Sequence, residues 1–408
     1  MKKVITMVGT SLFENYLEEH SDDTNFKNAY DYFKNNGRKA TELDRESNRK
    51  KNIEENFNEN YFKNKNNLNA SAEIKSLIKL KEELKEDFEI YLLYSDTALS
   101  RLAAEILHKC LYEYKPYDEL RGCKIKEPKK IEGLQIWDRS EFNEGMVNLI
   151  QTIENISQGY WENVIINITG GYKATIPYLT ILAQVNRCPI YYVFEDTDAL
   201  IKIPYIPIDI KQSIFEKHKE LFRKLEREEI SELPQGLSED ERKDIFSLLE
   251  QTDNLYALNP LGIILWEKYK KNFEIIYVSD LVQNYISQDA RWKVIFEKSA
   301  KELKRRYISN PNDPDLNHKI MGFDNREGFK CFKHKEEDLQ VRVLYKIKEW
   351  ETRHGSEEFD IYIGNIKIGS DVHNVGTEYV ENFEREMDKI NEIEKYKIYE
   401  IKKEVQDV

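Results

Sequence analysis

An apolar run from Val164 to Ile168 stops at Thr169-Gly170-Gly171-Tyr172-Lys173, and an apolar helical pattern begins at once in ATIPYLTILAQV. A strand that turns straight into a helix through two glycines is the joint of a β–α unit. It restricts the first half of the chain to a sheet with helices packed on it. The flanking segments repeat the alternation. Val4–Val8 reads as a strand, and Ser71 caps a helix with Ile74, Leu77, Ile78, Leu80 and Leu84 on one face. EIYLLY (89–94) is a second strand, followed by a helix from about Thr97. LQIWD (134–138) is a third, followed by a helix over 142–156. PIYYVFE (189–195) follows the glycine junction, and LIKIPYI (200–206) gives one strand more. This order predicts the α/β class with a parallel, doubly wound sheet over residues 1–210. Residues 34–70, rich in Asn and Lys and poor in apolar residues, are expected to form a mobile insertion.

The pattern changes twice more. Residues 211–286 carry three charged or amphipathic helical segments, the second capped by Ser238 with Glu241 three residues on, and read as a small helical, winged-helix-like connector. Over 287–408, ARWKVIFEKSAKELKRRYISNP reads as a short strand and a basic helix. GFKCFKHKEEDLQVRVLYKIKEW alternates as a β-hairpin. FDIYIGNIKIGSDVHN gives two strands around a turn at Gly364-Asn365, and 380–408 reads as a charged terminal helix. The expected unit is a small α+β domain.

Charge narrows the function classes. A net charge of -13 over 408 residues argues against binding nucleic acid through bulk charge, so any such contact needs a local basic patch. Residues 286–348 hold 15 Lys+Arg against 10 Asp+Glu, a balance of +5, whereas 349–408 hold 8 against 16, a balance of -8. Cys110, Cys123, Cys188 and Cys331 form no CxxC pair and no metal spacing, which fits a reducing cytoplasm. No run of 18 apolar residues is long enough to span a membrane, and the apolar part of MKKVITMVGTSLF is too short for a signal peptide.

The glycine junction has a chemical reading. A helix start offers free N–H groups and a positive dipole end, glycines let a ligand approach the backbone, and Lys173 adds a point charge. In a parallel sheet ligands sit beyond the carboxyl ends of the strands. Gly9-Thr10-Ser11 and Ser95-Asp96-Thr97 end two other strands, so with Thr169, Gly170, Gly171, Tyr172 and Lys173 they are expected to share one rim. Neither GxxxxGK[ST] nor GxGxxG is present here.

MVGTSLF, SAEIKSL, LLYSDTALSRLAAE, FNEGMVNLIQTI and NITGGYKATIPYLTILA together resemble the CRISPR-associated Rossmann fold, the CARF domain, over about residues 1–210. The resemblance implies a Rossmann-like sheet, a homodimer, and an allosteric activator that is a cyclic oligoadenylate, by family frequency cyclic tetra-adenylate. It implies that Thr10 and Ser11, with Thr169, Gly170, Gly171 and Lys173, line a cleft across the dimer.

Domains of this family carry C-terminal effectors. The Arg-and-His spacing of a HEPN ribonuclease is matched by Arg101 and His108, but these sit on a helix of the sensor half. Asp360 lacks the Glu-x-Lys partner of a restriction-type nuclease. VIFEKSAKELKRRY, GFKCFKHK, VRVLYKI and IYIGNIKIGSDVHNVGTEY resemble the RelE toxin family over about 291–383. That resemblance implies an endoribonuclease that cuts mRNA at the ribosome without metal, with no resident cofactor. The hairpin KHKEEDLQ and the insertion KEWETRHGSEEF depart from the usual spacing.

Cleavage by the 2′-OH needs a base, a cation for the crowded phosphate and an acid for the leaving oxygen. Lys333, Lys335 and Arg342 are the first candidates for the positive field, with Lys330 behind them because strand parity puts it on the other face. His373 is a candidate acid or base, and Tyr379 a residue that stacks on a base or orients the 2′-OH. Arg305 and Arg306 are candidate contacts for ribosomal RNA phosphate. The competing reading is a ligand-responsive regulator whose C-terminal domain only binds a partner.

Overall fold

The computed structural model describes residues 1–35, 38–63, 70–194, 199–206, 211–252, 254–319, 328–336, 338–351, 357–369 and 378–403. The chain divides into two compact units: Met1–Lys211 with Ile230–Leu265, and Gln212–Glu229 with Trp266–Val408. The 211–286 segment expected as a connector is thereby shared between them.

The first unit is built on a Rossmann-like sheet. Strands β1 (Lys2–Val8), β2 (Phe88–Ser95), β3 (Lys124–Ile125), β4 (Lys129–Ile131), β5 (Val164–Asn167), β6 (Ile190–Val193) and β7 (Leu200–Ile203) run in the order β3-β2-β1-β5-β6-β7, with β4 also on β2. All neighbours are parallel except β6 and β7. Alternate residues of β1 feed two cores, as a sheet covered on both faces requires. Val4 and Val8 pack with the helices Ser11–Glu19, Thr24–Lys34, Ala72–Leu84 and Ala98–Lys109, and Ile5 and Met7 with Arg139–Ser157 and Ile176–Asn186. In register Met7 faces Leu93 and Thr6 faces Asn167, so the three strands end level and their following loops meet.

Two expectations are corrected in this unit. Leu134–Asp138 is not a strand; on the edge away from β1, β2 pairs with β3 and β4 just upstream, and Leu134 instead accepts a hydrogen bond from Asp96 N–H. The described parts of 34–70 are helical (Ala40–Asp44, Ser47–Glu54, Glu59–Lys63) and bury Leu43, Ile53, Phe57 and Phe62 against Phe13 and Phe26. A few large aromatics anchor a segment whose average composition reads as disordered. The unit also holds the helix Glu239–Ser247, with the expected Ser238–Glu241 capping box, and the hairpin of β8 (Leu249–Thr252) and β9 (Leu255–Leu258).

The second unit is a five-stranded sheet. Its strands are β10 (Phe273–Val278), β11 (Lys330–Glu336), β12 (Leu339–Glu351), β13 (Glu357–Gly369) and β14 (Lys397–Lys402), ordered β11-β12-β13-β10-β14. The β11–β12 hairpin forms as expected. Ala290–Ser309 is helix throughout, with no opening strand; that strand is β10, upstream, parallel to β13. Gly364-Asn365 is not a turn. β13 runs straight through, and a bulge opposite Leu344 and Tyr345 skips Gly364. Nor is 380–408 one helix: Glu378–Ile390 ends and β14 follows, antiparallel to β10. One sheet face, through Phe332, Val341, Val343 and Tyr345, packs with Ile295, Phe296 and Leu303. The other, through Cys331, Leu344 and Tyr362, packs with Phe383, Met387 and Ile390.

Candidate functional site

The rim expected from sequence is assembled at the ends of β1, β2 and β5, but its members differ in what they are free to do. Ser95, Asp96 and Thr97 are buried. Thr97 caps the helix Ala98–Lys109, Ser95 Oγ lies 3.1 Å from Thr97 Oγ1, and Asp96 accepts from Gly133 N–H and lies 3.8 Å from Lys130. These three brace the rim from beneath rather than line it. Thr169 is committed too: its hydroxyl donates to Asn167 Oδ1 at 2.7 Å and accepts from Val193 N–H at 3.0 Å. Burial pushes the Tyr172 hydroxyl up, opposed by hydrogen bonds with Ser95 and Thr97. Lys173 is exposed at the start of the turn leading into Ile176–Asn186, and Gly9, Thr10, Ser11, Gly170 and Gly171 are half-exposed beside it.

The glycines answer to protein first. A Cβ on Gly170 would stand 2.1 Å from Glu73 Oε1, one on Gly9 2.8 Å from Gly171 N, and one on Gly171, whose φ is +83°, 2.6 Å from Met7 Cβ. The three loops therefore close on one another and on a carboxylate that the sequence reading missed. Glu73 is 1% exposed. It accepts from Gly9 N–H at 2.7 Å and from Ser11 Oγ at 3.2 Å. Burial pushes its carboxyl up, while hydrogen bonds from Gly9 N–H, its own N–H, Ser71 and Ser11 oppose the rise. In sequence Glu73 looks like an ordinary first-turn acid favoured by the helix dipole. Asn167, equally missed, did leave a signal: it is a polar residue within an apolar strand, and its amide bonds Thr6 and Ser76.

In the second unit strand register puts Lys333, Arg342 and Lys367 in one row across β11, β12 and β13. Lys335 shares their face at the strand end, while Lys330 pairs with Tyr345 on the opposite face, as parity required. Lys367 was missed because its neighbours read as a turn. Like charges side by side on a sheet cost stability, so the row has no account in packing alone. Arg342 is buried to 0% exposure and donates to Val341 O. Lys367 is 3.6 Å from Glu386 of the helix Glu378–Ile390, and Glu386 also accepts from Asn365 at 2.7 Å. His373 lies outside the described residues. Tyr379 belongs to the helix Glu378–Ile390.

Other sequence candidates have structural partners. Arg305 and Arg306 both bond Glu302, and Arg306 also pairs with Asp315 at 2.8 Å; only Arg305 stays largely exposed. Arg101 forks onto Asp44 and bonds Glu105, and His108 stacks on Tyr112, so that pair is part of the fold. Asp360 is held by Arg223 and Arg227. No group of three or more His, Cys, Asp or Glu able to hold a metal occurs among the described residues. No helix among them is long and apolar enough to cross a membrane.

No curated protein matches this chain. Among solved structures it is similar to Can2 from Sulfobacillus thermosulfidooxidans in complex with cyclic tetra-adenylate (cA4), at 13% identity over 77% of this chain and 82% of that one. The TM-score is 0.22, too low an overlap to carry an argument. Residues 68–206, which contain β2, β5 and the glycine junction, match the family described as CRISPR-associated protein (Cas_APE2256).

Proposed function

We propose that this chain is a cyclic oligoadenylate-activated ribonuclease of type III CRISPR defence. The first unit, as a homodimer, binds the ring (cyclic tetra-adenylate by our choice of probe). The second is a RelE-like endoribonuclease that cuts mRNA at the ribosome. The match over 68–206 and the exposed Lys173 beside a helix start support the sensor half. The observation that carries the effector half is the row Lys333–Arg342–Lys367, three cations held across a sheet where packing does not want them. Such a row suits a phosphate dense in negative charge. The order of one strand, a basic helix and an antiparallel sheet also agrees with the resemblance, with β10 in the role of the opening strand.

In this reading Lys333, Lys335 and Lys367 stabilise the crowded phosphate. Arg342 beneath them raises the local field, and one of the lysines serves as base. His373 is kept as the acid or the base, and Tyr379 as the residue that stacks on a base or orients the 2′-OH. Ligand binding activates only to the extent that the ring prefers the active state of the protein.

The burial of Arg342 and the engagement of Lys367 by Glu386 favour one competing reading, a C-terminal unit that only binds a partner. An in vitro translation assay with and without cyclic tetra-adenylate, with RNA ends mapped by primer extension, decides between them. Ligand-dependent cuts on translated mRNA, absent on the same RNA without ribosomes, are expected. Equal cutting of naked RNA would replace the ribosomal enzyme with a general ribonuclease. No cutting despite ligand binding would select the regulator.

A further inference from the structure

Resting on the sensor reading above, we infer that Glu73 is a positioning residue that fixes the polarity of Ser11, so that Ser11 meets the bound ring only as a hydrogen-bond acceptor. A serine hydroxyl has one proton to donate and two lone pairs. The Ser11 proton is directed at Glu73 Oε2, 3.2 Å away, and one lone pair accepts from Ala72 N–H at 3.1 Å. One lone pair is left, on a half-exposed residue at the rim. Ser11 therefore does not serve the phosphates, which only accept. It selects a donor on the ligand: a ribose hydroxyl or the exocyclic amine of adenine. Lys173 and the glycine backbone are left for phosphate.

Among the described residues the partners of the Glu73 carboxylate all donate: Gly9 N–H, its own N–H, Ser11 and Ser71. Ser71 is free to donate because its own oxygen accepts from Ile74 N–H. Gly170 makes room for the carboxylate: a Cβ there would stand 2.1 Å from Oε1.

Glu73→Gln reverses the arrangement at constant shape. Backbone N–H groups cannot turn away from a carboxamide NH2 but hydroxyls can, so the NH2 group faces Ser11. Both Ser11 lone pairs are then taken, by the carboxamide and by Ala72 N–H, and its proton points at the ligand. A donor now meets a donor.

The test is calorimetric titration of the full chain, wild type, Glu73→Gln, Ser11→Ala and the double variant, with three rings: cyclic tetra-adenylate, its 2′-deoxy counterpart and cyclic tetra-inosinate. Thermal unfolding checks that each variant folds. Glu73→Gln is expected to weaken cyclic tetra-adenylate by about tenfold or more. That loss is expected to vanish on whichever analogue lacks the donor that Ser11 reads, the deoxy ring for a ribose hydroxyl and the inosinate for the amine. It is also expected to vanish when Ser11 is already alanine. Glu73→Gln binding like wild type, or losing equally on all three rings, overturns the inference and leaves the sensor reading standing. If Glu73→Gln does not fold, Ser11→Ala decides: an equal loss on all rings overturns the inference, and a loss confined to rings bearing the donor supports it. Failure of wild type to bind any ring overturns the sensor reading and the inference with it.

Discussion

Gly170 and Glu73 occupy one another's margin: a single methyl group on Gly170 would stand 2.1 Å from the Glu73 carboxylate and 2.7 Å from Met7 O. The glycine pair that draws the eye in the sequence is thus required first by a buried carboxylate and a strand end. The loop it forms is packed against both. Gly170→Ala should cost about 1–3 kcal/mol of stability through overpacking, and should weaken ring binding with it. Chemical denaturation of the variant beside wild type measures the first effect, and unchanged stability would remove the close packing as an explanation.

Lys173 is the opposite case, exposed and outside the packed core. Lys173→Met should change stability by no more than about 0.5 kcal/mol, the usual range for a surface site. Its effect belongs to binding: the affinity for cyclic tetra-adenylate should fall, and the dependence of that affinity on salt should become shallower, because one charge no longer faces the phosphates. Titrations at two ionic strengths read both quantities.

The cation row in the second unit predicts effects of opposite sign. Lys333→Met or Lys367→Met relieves like-charge repulsion, so stability should stay level or rise by about 0.2–1 kcal/mol, while ligand-dependent RNA cleavage should fall tenfold or more. Lys367→Met also releases Glu386 from an ion pair, which trims its gain. A row that served folding would lose stability and activity together. Melting curves run alongside primer extension separate the cases.

Acid should open the second unit through Glu226. Burial raises this carboxyl, but Lys270 and Arg223 outweigh it and hold it at about 2. The folded value is below the ordinary one of 4.5, so the pairing contributes stability that is whole above pH 4.5 and is lost as pH falls toward about 2. Glu226→Gln should lower stability at neutral pH by about 3–5 kcal/mol, since Lys270 and Arg223 stay buried with one partner fewer. It should also flatten the profile in that acid window, as followed by near-ultraviolet dichroism.

What was legible in the sequence was periodicity. The alternation around Val4–Val8, EIYLLY and NVIINIT gave the parallel sheet because each strand is bounded by a turn signal and helical patterns separate the strands. Ser71 and Thr97 are the caps the reading needed. Where local signals conflict with long-range pairing, the reading failed. Gly364-Asn365 has the composition of a turn, yet β13 continues because β12 pairs along its whole length and absorbs one residue as a bulge. Glu73 and Lys367 were missed for a related reason. A carboxylate becomes a site only when strands far apart in sequence bring Gly9 and Gly170 to it, and Lys367 joins a row only once β13 is known to be unbroken. By contrast, the separation of Lys330 from Lys333 and Lys335 followed from strand parity alone.

The position of β10 carries a consequence for synthesis. This strand is made before any other of its sheet and lies between β13 and β14, both emerging far later. Until residues 357–369 leave the exit tunnel β10 has no neighbour to pair with, and its other edge stays open until residues 397–402 follow.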